Sequence, residues 1–242
     1  MPADVYIGTS GWHYKHWKGP FYPPKLPGKK MLDFYAERFR TVEINSSFYR
    51  LPLESGLDNW RHCTPPDFHF AVKGSRFLTH MKKLKDPGPG IEKFFERIDR
   101  LETKLGPVIF QLPPWWEVNS ERLEAFLEML PPGNRYAFEL RNETWRSTAI
   151  YEILRRHNTA FCIFEIAGTF SGLAVTADFT YVRLHGPGGA YQGSYPDETL
   201  QMWAGRIRDW SKQLKAVYVY FDNDQAAYAV ENALTLKQML GV

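Results

Sequence analysis

Tyr181-Val182-Arg183-Leu184-His185-Gly186 decides how the chain reads. It is a strand-like run into a glycine turn. Alternation puts Val182 and Leu184 on one face, Arg183 and His185 on the other. A packed wall has no dry place for an arginine unless a carboxylate waits there. Other runs share the pattern. Val42 and Ile44 alternate with Glu43 and Asn45, and Phe138 and Leu140 with Glu139 and Arg141. Val217, Val219 and Phe221 alternate with Tyr218, Tyr220 and Asp222. Residues 70–73 and 108–111 end in Lys73 and Gln111. Runs that begin apolar and end polar predict a parallel barrel with a site at one mouth.

The rest of the chain fits that frame. Its 242 residues suit one (β/α)₈ TIM barrel over 1–242, with no internal repeat or linker. Strands are predicted at 5–9, 41–45, 68–73, 108–112, 136–141, 160–164, 180–184 and 217–221. Helices are predicted at 31–39, 57–63, 91–105, 148–157, 197–214 and 226–240. Gly106-Pro107 reads as a helix stop, and Ser120 as the N-cap of a helix carrying Leu123, Phe126 and Leu127. Residues 82–90 read as a surface loop, and 165–178 carry no clear element. A doubly wound sheet is the alternative, but Gly8 and Gly11 do not form its glycine fingerprint.

Composition narrows the class. Hydrophobic residues at 44% and charged residues at 24% describe a soluble globular chain. A net charge of +3 does not by itself argue for nucleic acid. Cys63 and Cys162 form no metal or disulfide pattern, which suits a reducing cytoplasm, and Cys162 reads as a core residue. The N-terminal residues lack the blocks of a signal peptide, and no apolar run is long enough to span a bilayer. A cytoplasmic protein is expected.

The inward layer at the mouth holds the candidates for chemistry. Glu43, Glu139 and His185 are the acid–base candidates. Lys73, Arg141 and Arg183 would orient a substrate or neutralise its charge, and Asn45, Gln111 and Asn223 would hydrogen-bond it. The bland reading of the same layer is an internal ion network, and it fits Arg183 and Glu43 best. Trp12, Trp17, Tyr49, Trp115, Trp145 and Tyr220 would stack on sugar rings or bases, or form an apolar lid. A divalent metal is an alternative, held by Glu139, Glu165, His185 and Asp224, although no local metal motif is present. No cofactor is otherwise evident. The expected partner is a small polar or anionic ligand, with nucleic acid as the rival and no membrane.

The motifs Gly8-Thr-Ser-Gly-Trp12, Val42-Glu-Ile-Asn-Ser-Ser-Phe-Tyr49, Gln111-Leu-Pro-Pro114, Glu139-Leu-Arg141 and Tyr181-Val-Arg-Leu-His-Gly186 occur in this order. With Phe70-Ala-Val-Lys73 and Tyr218-Val-Tyr-Phe221 they resemble the domain-of-unknown-function 72 family, also called YecE-like, over nearly the whole chain. The resemblance implies a TIM barrel and carries no reaction with it. Ser47, Asn142 and Asp222 depart from the pattern, where Thr, His and Asn are common. Asp222 thereby adds a negative charge beside the expected site. Two functions follow as expectations: a hydrolase or isomerase working by acid–base chemistry, or a non-catalytic binder of sugar or nucleic acid. A metal-dependent isomerase or endonuclease is a variant of the first, by analogy of fold alone.

Overall fold

The computed structural model describes residues 3–242. β1 (Asp4–Thr9) leads through a long aromatic loop to α1 (Met31–Ala36) and β2 (Thr41–Ile44). Then come α2 (Ser46–Tyr49), α3 (Glu54–Cys63), β3 (His69–Lys73), α4 (Gly88–Ile98) and β4 (Leu105–Leu112). α5 (Ser120–Glu128), β5 (Tyr136–Leu140), α6 (Thr148–Arg156), β6 (Ala160–Ile166) and the short β7 (Thr169–Phe170) follow. The chain continues with β8 (Phe179–Leu184), α7 (Asp197–Ser211), β9 (Ala216–Phe221) and α8 (Tyr228–Leu240). The hydrogen-bonded order is β1-β9-β8-β6-β5-β4-β3-β2, all parallel, with β7 antiparallel to β6. Eight parallel strands thus form a nearly closed barrel.

Strand parity sorts the core into two layers. Val42, Ile44, Phe138, Leu140, Val182, Leu184, Val217 and Val219 join the apolar layer under the helices. The longer helices supply stripes to it, such as Ile91, Phe94, Phe95 and Ile98 from α4, and Ile150, Ile153 and Leu154 from α6. The opposite parity fills the barrel with Ala71, Ile109, Ala137, Cys162, Phe164, Phe179, Tyr181, Tyr218 and Tyr220. Tyr6 stacks on Tyr218 at 4.8 Å, and Tyr218 on Tyr181 at 6.3 Å, so aromatic rings plug the lower barrel.

β1 and β2 close the circle with few main-chain bonds. They approach so tightly that a Cβ on Gly8 would lie 2.3 Å from the Thr41 carbonyl oxygen. Beyond that point Gly11 N donates to Glu43 O at 2.8 Å. The Tyr35 hydroxyl from α1 bridges the gap, accepting from Thr9 N at 2.9 Å and donating to Thr41 O at 3.1 Å.

The local departures have physical reasons. Gly106-Pro107 does not stop a helix; it sits inside β4, where three residue steps from Leu105 to Val108 oppose two from Phe70 to Val72. That bulge accepts a proline, which has no N–H to offer the ladder. The α5 N-cap is Asn119, not Ser120, and its side chain accepts from Arg122 N at 2.9 Å. The unassigned 165–178 segment contains the β6–β7 hairpin, turned by Ala167 and Gly168, both at positive φ. Within the expected surface loop, Leu84 is buried and α4 begins at Gly88.

Tyr35→Phe removes the seam's bridge and leaves the buried Thr9 amide without its acceptor. A loss of about 1–3 kcal/mol is expected in urea unfolding, seen as a lower midpoint at unchanged slope. A change within about 0.5 kcal/mol would show that the phenol carries no structural weight at the seam.

Candidate functional site

Arg183 is fully buried at the carboxyl end of β8. A guanidinium there needs partners for its charge and its five N–H groups, and the neighbouring strand ends supply them. Glu43 of β2 accepts from Nη2 at 2.8 Å and from Nε at 3.1 Å. Glu139 of β5 accepts from Nη1 at 2.6 Å, and Asp222, just past β9, accepts from Nη2 at 2.9 Å. Ser10, following β1, accepts from Nη2 at 3.0 Å and donates to Glu43. Tyr181 donates to the other Glu43 oxygen at 2.6 Å. The internal ion network expected for the deep residues is therefore present.

The network fixes protonation states. Burial works against the charged form of Glu139, but Arg141 and Arg183 outweigh it and hold the carboxyl well below its usual range. Asp222 is likewise kept low: burial opposes it, and Arg183, His185 and Lys73 prevail. Burial, with Glu43 alongside, pushes the Tyr181 phenol far up. His185 is buried between these groups. Its Nε2 lies 3.3 Å from Arg183 Nη1 and 3.7 Å from Glu139, and its Nδ1 lies 2.9 Å from Asp222, close but poorly aligned for a hydrogen bond.

Above this layer the groups are less committed. Arg141 Nε donates to Glu139 at 2.5 Å, while its Nη2 is buried without a partner. Lys73 forms no salt bridge with a described residue, and its Nζ stands 4.8 Å from the Phe48 ring centre. Burial, then Arg183, pulls the Lys73 pKa down to about 8. Gln111 is buried with no side-chain partner among the described residues. The loop after β8 turns at Gly186, where a Cβ would meet Gln192 O at 2.3 Å, and sets the Tyr191 ring 5.6 Å from His185.

Glu43, Glu139, His185, Arg183, Arg141 and Lys73 therefore gather at one mouth, but several expected site residues do other work. Tyr220 lies inside the barrel and bonds Thr41 Oγ1 at 2.7 Å, too deep to meet a ligand at the strand ends. Asn223 ties down the loop, donating to Gly193 O at 2.8 Å and Asn232 Oδ1 at 2.9 Å. Asn45 donates to Ser10 Oγ at 2.8 Å and lines, with Trp12, Tyr14 and Trp60, a side cavity of about 530 Å³. Tyr49 is 73% exposed on α2, outside the layer. Trp17 and Trp145 stack on nothing external; both are fully buried and donate to Asp224 O and Trp116 O.

The four-residue metal set does not assemble. Glu165 has the parity of Ile163, which joins the outer apolar layer, and it feels Arg206 of α7. Asp224 lies beyond the strand end, 3.4 Å from His16. Among the described residues, no three His, Cys, Asp or Glu side chains are grouped to hold a metal ion. Ser10 and Tyr181 were not singled out by the sequence reading. Extending the Arg183 parity one step down β8, and that of Tyr6 up β1, would have found them.

Comparison with known proteins follows the same lines. The family model described as "Protein of unknown function DUF72" matches residues 6–242. The UPF0759 protein YunF of Bacillus subtilis is 26% identical over 98% of this chain and 95% of its own. The UPF0759 protein YecE of Escherichia coli K12 is 30% identical over 57% of this chain and 48% of its own. A crystal structure of a DUF72 family protein from Thermotoga maritima superposes with a TM-score of 0.90 at 31% identity, covering 99% of this chain and 100% of that one. One from Enterococcus faecalis gives 0.83 at 19% identity over 98% and 96%, a likeness of fold.

Arg183→Met takes the shared counter-ion from Glu43 and Asp222 and leaves Glu139 with Arg141 alone, and a loss of about 3–5 kcal/mol is expected. Arg183→Lys does not restore it, because an ammonium lacks the planar fork. Acid sensitivity follows from Glu139. Its folded pKa lies below the ordinary 4.5, so its contribution is complete above that value and is lost as pH falls through the folded one. Urea midpoints measured from neutral pH downward should fall below about pH 5 in the wild type and flatten in Glu139→Gln. Parallel curves would count against this assignment.

Proposed function

The chain belongs to the DUF72 family, whose description carries no reaction, and on that premise we propose that it is an enzyme that binds a small anionic substrate at the barrel mouth and moves a proton on it. One observation carries this reading. Arg183 draws the three carboxylates inward, while at the strand ends Arg141 Nη2 is buried without a partner and Nζ of the half-buried Lys73 pairs with no described residue. A ligand carboxylate or phosphate is the acceptor that completes them, with the Gln111 amide beside it. Glu43, Glu139 and Asp222 balance Lys73, Arg141 and Arg183 to a formal sum of zero. The grip is therefore short-ranged and directional, not a steering field.

Proton transfer falls to Lys73 in this reading. Glu43 is held by four donors from Arg183, Tyr181 and Ser10, and Glu139 stays ionised. They and His185 form the electrostatic frame. Lys73, with a pKa of about 8, is the group at the mouth poised near neutrality, where a general acid or base works best. The rival reading, a nucleic-acid or sugar binder, draws on Trp115, 62% exposed with Lys83 Nζ 4.4 Å from its ring centre.

Inorganic phosphate and small carboxylates should bind the wild type, and Arg141→Gln should weaken them roughly 10-fold by loss of a charge-assisted hydrogen bond, as read by calorimetry. Affinity should fall as pH rises through about 8, where Lys73 loses its charge, and Lys73→Met should abolish that step. Turnover within a panel of small hydroxy acids, oxo acids and phosphate esters should disappear in Lys73→Met. Unchanged anion binding in both variants, with salt-sensitive retention of oligonucleotides and no turnover, would favour the binder.

A further inference from the structure

We propose that Lys73 forms an imine with the aldehyde or ketone carbon of a small compound that also bears a carboxylate or phosphate. The proposal rests on the anion-binding reading of the mouth and adds the reacting group of the substrate. Lys73 is the last residue of β3 and shares its inward parity with Ala71. Its Nζ faces the ring of Phe48, itself only 8% exposed, with Arg183 as the cation that acts on it, opposed by Glu139, Glu43 and Asp222, and with His80 against the same ring. An amine half-buried beside a guanidinium, with no acceptor holding its protons, is the kind that stays neutral long enough to attack a carbonyl.

Lys104 supplies the contrast within the same chain. It is buried, where Lys73 is half-buried, and its Nζ donates to Arg61 O at 2.6 Å, Thr64 O at 2.7 Å and Thr64 Oγ1 at 3.0 Å. All three protons of that ammonium are used, so it is held as a cation with no lone pair to give. Lys73 Nζ has no such acceptors among the described residues and stands over the Phe48 ring. Its depressed pKa, about 8, agrees with the geometry.

The step balances without a co-reactant. The neutral amine attacks the carbonyl carbon, a C–N bond forms, and the carbonyl oxygen takes up a proton. The resulting carbinolamine then loses that oxygen as water, and the C=N bond remains. His80 packs edge-on against the same Phe48 ring at 4.9 Å, and burial, with Arg76 and Arg141 nearby, holds its pKa below 6.5. It is thus an unprotonated base at neutral pH, able to take the proton the amine sheds. The free Nη2 of Arg141 and the Gln111 amide would hold the anionic end of the compound while its carbon reacts.

The test is reductive trapping on the intact protein. Glyoxylate, an aldehyde with a carboxylate, is incubated with cyanoborohydride, and the modified lysines are mapped by mass spectrometry. Glycolaldehyde, similar in size but uncharged, serves as the comparison. At pH 7.5 a pKa near 8 gives on the order of 100-fold more neutral amine than an ordinary lysine. Lys73 should therefore be alkylated at least about 10-fold faster than surface lysines after allowing for its lower basicity. Its rate should rise with pH through about 8, exceed its rate with glycolaldehyde, and drop in Arg141→Gln. Lys104 should remain unmodified. Uniform labelling of surface lysines with Lys73 spared, in protein that still binds phosphate through Arg141, overturns the imine and leaves the anion site standing. Failure of both phosphate binding and labelling overturns the two together. The wild-type map alone decides the first question, whether or not a variant folds.

Discussion

Arg183 is the constraint on which the rest depends. A guanidinium at zero exposure would be very costly alone, and the barrel accommodates it only by bringing carboxylates from β2, β5 and the end of β9 to one point. Those strands are not neighbours. Glu43 lies three places from β8 around the circle and Glu139 two, so one side chain ties opposite walls together. The geometry also decides which groups are left for chemistry. Carboxylates that a sequence would nominate as acids and bases are absorbed by the arginine, and reactivity moves outward to the amine and the guanidinium nitrogen that it does not reach.

Much of this was legible in the chain because a parallel strand buried on both faces has only two sides. The alternation around Arg183, Glu43, Glu139 and Asp222 fixed which residues point into the barrel, and all four do. The same rule places Glu165 outside, with Ile163, so its nomination as a metal ligand failed through neglect of parity and not through the rule. What alternation cannot supply is depth. Tyr220 and Asp222 share a face, yet one is buried among tyrosines and the other touches the arginine. Nor could spacing show that Asn223 reaches sideways to Gly193 and Asn232, a contact made by a loop whose path depends on tertiary packing.

The local misreadings have a common cause. Proline and glycine mark departures from regular backbone, but not which departure. Gly106-Pro107 can end a helix or sit in a strand bulge, and the partner strand β3 selects the second. Ala167-Gly168 sits in a stretch of weak periodicity, and the hairpin it turns pairs only two residues on each side. Asn119 and Ser120 are both good caps by residue type, and the extended backbone of Asn119, with its side chain on Arg122 N, makes it the cap.

The seam between β1 and β2 has a further consequence. Ser10 and Glu43, which face each other across it, are also partners of Arg183. A transient parting of these two strands would admit water to the side of the ion cluster, where hydration weakens every charge pair at once. The barrel's breathing and the dielectric around its buried charges are therefore coupled, with the hydroxyl of Tyr35 as the latch between them.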